Sequence, residues 1–142
     1  MILLDTNVIS EVMRLSPSSA VLAWLHAIPV SDLATTTVNV AEIRYGVARL
    51  PFGRRRYDLE SRFNNYLVRV FANRVFGFDA AAADAYGELV AERTRIGRPL
   101  QRFDGLIAAI ASSRRVGIAT RDVRGFEWCG IELVNPWEVG AA

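Results

Sequence analysis

Lysine is absent from this sequence: all 17 of its basic residues are arginine. That absence removes a P-loop Gly-Lys, a Schiff-base lysine and a lysine general base together. Cys129 is the only cysteine and His26 the only histidine. A lone cysteine excludes an internal disulfide and a thiolate zinc site, and it suits a reducing cytoplasm. A Ser-His-Asp triad would have to be built around His26, which falls in an amphipathic stretch between Ala20 and Ile28. No apolar run approaches the roughly 20 residues that a membrane-crossing helix needs, so no membrane association is expected. The opening Met1-Ile2-Leu3-Leu4-Asp5 has neither a basic leader nor a long apolar stretch, so no signal peptide is expected.

What is present is the composition of a globular protein. A hydrophobic content of 51% over 142 residues is enough for a core, and one domain spanning residues 1–142 is expected. The formal charge is +2, but it is unevenly assigned. Four carboxylates, Asp5, Glu42, Asp104 and Asp122, fall at the edges of apolar segments. Setting those four aside leaves 11 acids against 17 arginines, a balance of +6. Acidic side chains beside a core are costly unless a positive charge offsets their repulsion. A hard divalent cation, Mg²⁺ or in its place Mn²⁺, takes oxygen ligands and supplies that charge. A positive surface around a negative, metal-binding pocket suits a polyanion such as RNA, and arginine's flat fork suits phosphate.

The element pattern alternates. Ile2–Leu4 reads as a short buried strand. Thr6 is placed as the cap of a helix over Asn7–Arg14, and Ser16-Pro17 as the start of a second that carries Val21, Leu22, Trp24 and Leu25 toward Ile28. Strand propensity over Asp32–Thr37 is followed by a helix over Val38–Leu50, broken at Pro51-Phe52-Gly53. A long helix is expected from Arg54 to Asn73, with Leu59, Phe63, Leu67 and Val70 as its apolar stripe. Arg55, Arg62 and Arg69 border that stripe, and a solvated face is favoured for them over phosphate contacts. Val75–Phe78 reads as an edge strand and Asp79 as the cap of a helix over Ala80–Ile96, whose Asp84, Glu88 and Glu92 point outward. Helix Phe103–Arg115, strand Gly117–Thr120, a short turn over Val123–Phe126 and strand Ile131–Val134 complete the chain. Strands alternating with helices indicate a three-layer α/β/α sandwich with a mainly parallel central sheet. Sites in such folds form beyond the carboxyl ends of the strands, which puts Asp5 and Asp122 on one edge.

The segments Leu3-Leu4-Asp5-Thr6-Asn7, Val40-Ala41-Glu42, Phe103-Asp104-Gly105-Leu106-Ile107-Ala108-Ala109 and Ala119-Thr120-Arg121-Asp122 carry a family resemblance. In order and spacing the chain resembles the PIN-domain ribonucleases over essentially its full length, and within them the VapC-type toxins of the FitB-like branch. The ending Gly130-Ile131-Glu132-Leu133-Val134-Asn135-Pro136-Trp137 resembles that branch too. The resemblance implies a Mg²⁺-dependent endoribonuclease, cytoplasmic and homodimeric, held in check by a small antitoxin and meeting DNA only through it. Carried over by residue, Asp5 and Asp104 become the principal metal ligands, with Glu42 and Asp122 completing the cluster partly through water. Thr6 and Thr120 become supports that hydrogen-bond a carboxylate or a phosphate. Asparagine often replaces Asp122 in relatives, and alanine often replaces Gly105, a neutral change by expectation.

Two other readings use the same residues. An aspartate-based phosphatase would want a second aspartate two positions after Asp5, where this chain has Asn7. A PIN-like binding module would dock RNA or a protein partner without cutting, but such a module has no need to keep the acidic positions. A phosphoryl-receiver domain requires the lysine that is missing.

Overall fold

A computed structural model describes residues 1–140. Five strands form one sheet in the order β3-β2-β1-β4-β5, every neighbouring pair parallel. The strands are β1 (Ile2–Leu4), β2 (Leu33–Thr36), β3 (Val75–Phe76), β4 (Gly117–Ala119) and β5 (Leu133–Val134). They are short and almost wholly apolar because both faces are covered. Alternation along β1 makes this explicit. Leu4 joins Val8, Ile9, Leu25, Ile43 and Phe63 on one face, while Leu3 joins Ala82, Ile107, Ile110 and Phe126 on the other. The first face carries helices α1 (Thr6–Val12), α2 (Ser19–His26), α3 (Thr37–Ala48) and α4 (Arg54–Tyr66); the second carries α5 (Ala80–Arg95) and α6 (Arg102–Arg114). This is the expected three-layer sandwich.

From β1 the chain builds outward through β2 and β3 on one side, then returns to lay β4 and β5 on the other. The direction of winding therefore reverses between β1 and β4, and a crevice opens at their carboxyl ends. Asp5 follows β1 and Thr120 follows β4, directly at that switch point.

Several boundaries differ from the sequence reading, each for a local reason. Asp5, not Thr6, caps α1: its extended backbone lets the side chain accept the Thr6 amide at 2.9 Å. Ser18, not Ser16, caps α2, accepting the Val21 amide, while the buried carboxylate of Glu11 takes the Ser18 amide. The helix expected to reach Asn73 keeps α-geometry only to Tyr66, then widens into a π-turn over Leu67–Phe71 that lets Phe71 reach the core. The apolar residues of the first two helices are covered. Val8, Ile9, Met13, Val21 and Leu25 are buried, and Val12 and Trp24 pack against them. The most exposed large apolar side chains lie elsewhere, among them Leu15, Phe52 and Val68, which are 88%, 91% and 75% exposed.

Candidate active site

Asp5 is the centre of the site, and it is almost fully held before any ligand arrives. Its Oδ1 accepts the Thr6 amide and the Asn39 side-chain amide, both at 2.9 Å; its Oδ2 accepts the Thr120 hydroxyl at 2.8 Å. These donors come from α1, α3 and the loop after β4, so the carboxylate ties three elements together at the sheet edge. Burial pushes the Asp5 carboxyl above its ordinary range, and the charge of Asp122 adds to the push. The three hydrogen bonds pull the other way without cancelling it.

Glu42 reaches the same edge from the middle of α3. Its Oε1 accepts the Thr6 hydroxyl at 2.9 Å, and the Thr6 hydroxyl oxygen in turn accepts from the Asn39 side-chain amide at 3.1 Å. Partial burial raises its carboxyl, with Asp5 contributing repulsion. Asp104 stands in the first turn of α6, where the helix dipole favours the ionised form. Burial dominates nonetheless. Together with the charges of Asp5, Asp122 and Glu42 it lifts the Asp104 carboxyl to about 6, against the smaller opposing pull of the Arg93 charge. Asp122 caps the short turn Val123–Phe126, accepting the Gly125 amide at 3.3 Å, while its own amide donates to the Thr120 hydroxyl at 3.0 Å. It forms no ion pair with Arg121 or Arg124 among the described residues. Arg121 stacks over the Trp137 ring instead, 4.8 Å from its centroid.

The structure thus brings Asp5, Glu42, Asp104 and Asp122 to one edge, close enough that each of the others repels Asp104. Thr6 and Thr120 lie between them as hydrogen-bonding links. His26 sits apart, exposed in the last turn of α2. Asp84, Glu88 and Glu92 are exposed on α5, where Glu92 pairs with Arg95.

Asn39 was not singled out in the sequence, yet it is fully buried and touches Asp5, Thr6 and Thr36. The signal was its spacing: Thr36, Asn39 and Glu42 recur every third residue, with Thr36 as the helix cap accepting the Asn39 amide. Asn7 also joins the network, donating weakly to Thr120 at 3.4 Å and accepting the Arg121 amide at 3.1 Å.

The donor set consists of oxygens, as a hard cation requires. Among the described residues no three acidic, histidine or cysteine side chains are gathered tightly enough to enclose an ion by themselves. Mg²⁺ does not ask for that, since it keeps several waters and takes one or two carboxylates. Gly125 marks the space available. A Cβ there would lie 2.9 Å from Asp122 Oδ2 and 3.1 Å from Asp104 Oδ2, so both carboxylates face a gap that a side chain would fill. The residues present fit a hydrated divalent cation.

From Thr6 and Glu42 a groove of about 980 Å³ runs between α1, α3 and α4. Met13, Ile43, Val47 and Leu59 give it an apolar floor, and Arg14, Arg54, Arg55 and Arg62 line its sides. Two of the three arginines bordering the α4 stripe therefore face this groove. Arg62 also donates to the Met13 carbonyl at 3.0 Å, which ties α4 to the end of α1. A second cleft of about 540 Å³, beside β3, has no charged lining residue.

Known proteins resemble this chain in sequence and fold. A family model described as PIN domain matches residues 2–127. The plasmid stability protein StbB of Pseudomonas syringae pv. tomato is 44% identical, over 97% of this chain and 99% of its own. VapC ribonuclease Y4jK of Sinorhizobium fredii is 41% identical over the same shares. Toxin FitB of Neisseria gonorrhoeae is 37% identical over 96% of this chain and 99% of its own. The crystal structure of FitAcB from that organism superposes with a TM-score of 0.90 at 37% identity, covering 96% of this chain and 99% of the other. The match in sequence, in fold and in length has one consequence: this chain belongs to the PIN-domain family.

Proposed function

We propose that the chain is a metal-dependent endoribonuclease and the toxin of a toxin–antitoxin pair. The observation that carries the proposal is the crowding of four carboxylates at the β1/β4 switch point, with Asp104 lifted to about 6 by burial and by the other three. Repulsion of that kind is a standing cost, retained where a cation is to be bound. A relative bearing the name VapC ribonuclease, 41% identical over nearly the whole chain, supports the same reading.

Asp5 and Asp104 would hold Mg²⁺, or Mn²⁺ in its place, with Glu42 and Asp122 completing the set partly through water. Once bound, the cation supplies an activated water and neutralises charge on the phosphodiester. The chain's own residues set the geometry. Thr120, Asn39 and the Thr6 amide fix both oxygens of Asp5, so its remaining lone pairs have one orientation. Thr6 holds Glu42 toward the same space. Asp104 must lose its proton to serve, so activity should fall as the pH drops through about 6. His26 takes no part, being exposed on another element.

The partner would be a small antitoxin, its C-terminal segment lying in the groove with its apolar residues on Met13, Ile43 and Val47. The groove opens at Thr6 and Glu42. An arginine at the end of such a segment would meet Asp5, Glu42 and Asp104, and a guanidinium fork pairs well with clustered carboxylates. DNA would be met only through the antitoxin. A homodimer and a cytoplasmic location belong to the same proposal. No helix among the described residues is long and apolar enough to cross a membrane.

The test is RNA cleavage by antitoxin-free protein with Mg²⁺ or Mn²⁺ and with EDTA. Cleavage that needs the ion is expected. Undiminished cleavage in EDTA would remove the metal mechanism, and RNA binding without any cleavage would favour a docking module.

A further inference from the structure

Arg93 is the only arginine buried among the described residues, 5% exposed near the end of α5. A buried guanidinium normally lies against a carboxylate. This one has no acidic partner within ion-pair distance among the described residues. Its Nε donates to the Arg98 carbonyl at 2.6 Å; its Nη1 donates to the Glu127 carbonyl at 2.7 Å and, at the long limit of 3.4 Å, to the Gly125 carbonyl. Cys129 Sγ lies 3.5 Å from the same nitrogen. A permanent charge is thus held inside the fold by backbone carbonyls: one at Arg98, after α5, and two at the turn 123–126 and its exit, Gly125 and Glu127.

That turn is the one that carries the site. Asp122 caps it, and Phe126 pins it to the core. Gly125 sits at its middle, facing the carboxylates of both Asp122 and Asp104. A side chain at position 125 would crowd those two oxygens and not strain the backbone, because this glycine does not adopt a positive φ. Arg93 grips the outer side of a turn whose inner side is the Asp104–Asp122 gap.

We propose that Arg93 and Gly125 are positioning residues for the cation: Arg93 clamps the turn 123–126 from within the core, and Gly125 keeps clear the space between Asp104 and Asp122. The inference rests on the nuclease reading for the identity of the ligand. Its geometry does not.

Gly125→Ala separates this role from folding. The added methyl would press on the ends of two flexible carboxylates and not on backbone, so the fold should tolerate it while the gap closes. Mn²⁺ affinity, read by electron paramagnetic resonance without RNA, should weaken by about tenfold or more, the scale on which outer residues of a metal site act. Melting without metal should be unchanged. With RNA, the loss should fall on kcat, with KM for RNA kept, and excess Mn²⁺ should restore part of it. Arg93→Met should weaken Mn²⁺ binding in the same sense, and Arg93→Lys, which keeps the charge but loses the fork, should fall between. Gly125→Ala decides the matter if Arg93→Met fails to fold. Affinity in Gly125→Ala within about twofold of wild type would overturn the proposal, as would a loss confined to KM. Wild-type protein that binds Mn²⁺ but cleaves nothing would instead sink the nuclease reading, leaving the positioning claim to stand or fall on the affinity of Gly125→Ala.

Discussion

Replacing Asp104 by asparagine should stabilise the metal-free protein while destroying its use for a metal. The Asp104 carboxyl is lifted from 3.8 to about 6, first by burial and then by Asp5, Asp122 and Glu42. Ionised Asp104 is thus disfavoured in the folded state, which holds the proton more tightly than the unfolded chain does. Stability from this group is complete below the unfolded value and is lost as pH rises through about 6. A shift of this size would correspond to roughly 3 kcal/mol for a fully buried group. Asp104 is only half-buried, and solvent screening cuts the figure to about 1 kcal/mol. Asparagine has nearly the shape of the protonated acid and never ionises. The measurement is urea unfolding of both proteins in EDTA from pH 4 to 7.5. The two should be nearly equal at the acid end, with the variant more stable by about 1 kcal/mol at the other, roughly 3 °C in Tm. Added Mn²⁺ should then raise the wild type more than the variant. A difference that stays flat with pH, or a variant less stable at pH 7.5, would refute the claim that crowding at this edge sets the carboxyl.

Asp5→Asn should lower RNA cleavage by roughly a hundredfold or more, because it removes a negative ligand while the Thr6 amide and Asn39 still hold the side-chain oxygen. Circular dichroism should show the fold intact, and wild-type turnover would mean that the metal has been placed wrongly. His26→Ala should leave cleavage unchanged, and an inactive variant of normal stability would revive a histidine mechanism. Antitoxin should bind more tightly when metal is withdrawn, since an arginine fork and Mg²⁺ compete for the same charge. Calorimetry giving equal affinity with and without Mg²⁺ would place inhibition elsewhere.

The sequence carried the large features because each rests on a strong local signal. Leu3-Leu4-Asp5 reads as a buried strand ending in a carboxylate, and the alternation of elements leads directly to the parallel sheet. What it hid depended on contacts between distant segments. Asn39 looks like an ordinary polar helix residue until α3 packs over β1 and brings it to Asp5, 34 positions away. Arg93 stands in a stretch of arginines and glutamates that reads as solvated, and only the return of residues 125–129 beneath it reveals a buried guanidinium. Ser16 and Ser18 offer the same capping chemistry; the choice falls to Ser18 because Glu11, seven residues earlier, holds its amide. The apolar residues of α1 and α2 find their cover only in the folded chain, where α4 and the π-turn after it supply Phe63 and Phe71.

The direct measurement is anomalous diffraction from crystals of antitoxin-free protein soaked in Mn²⁺. One or two peaks should appear among Asp5, Glu42, Asp104 and Asp122, beside the open face of Gly125. A site saturated with Mn²⁺ at any other place on the surface, with these four carboxylates bare, would contradict the account.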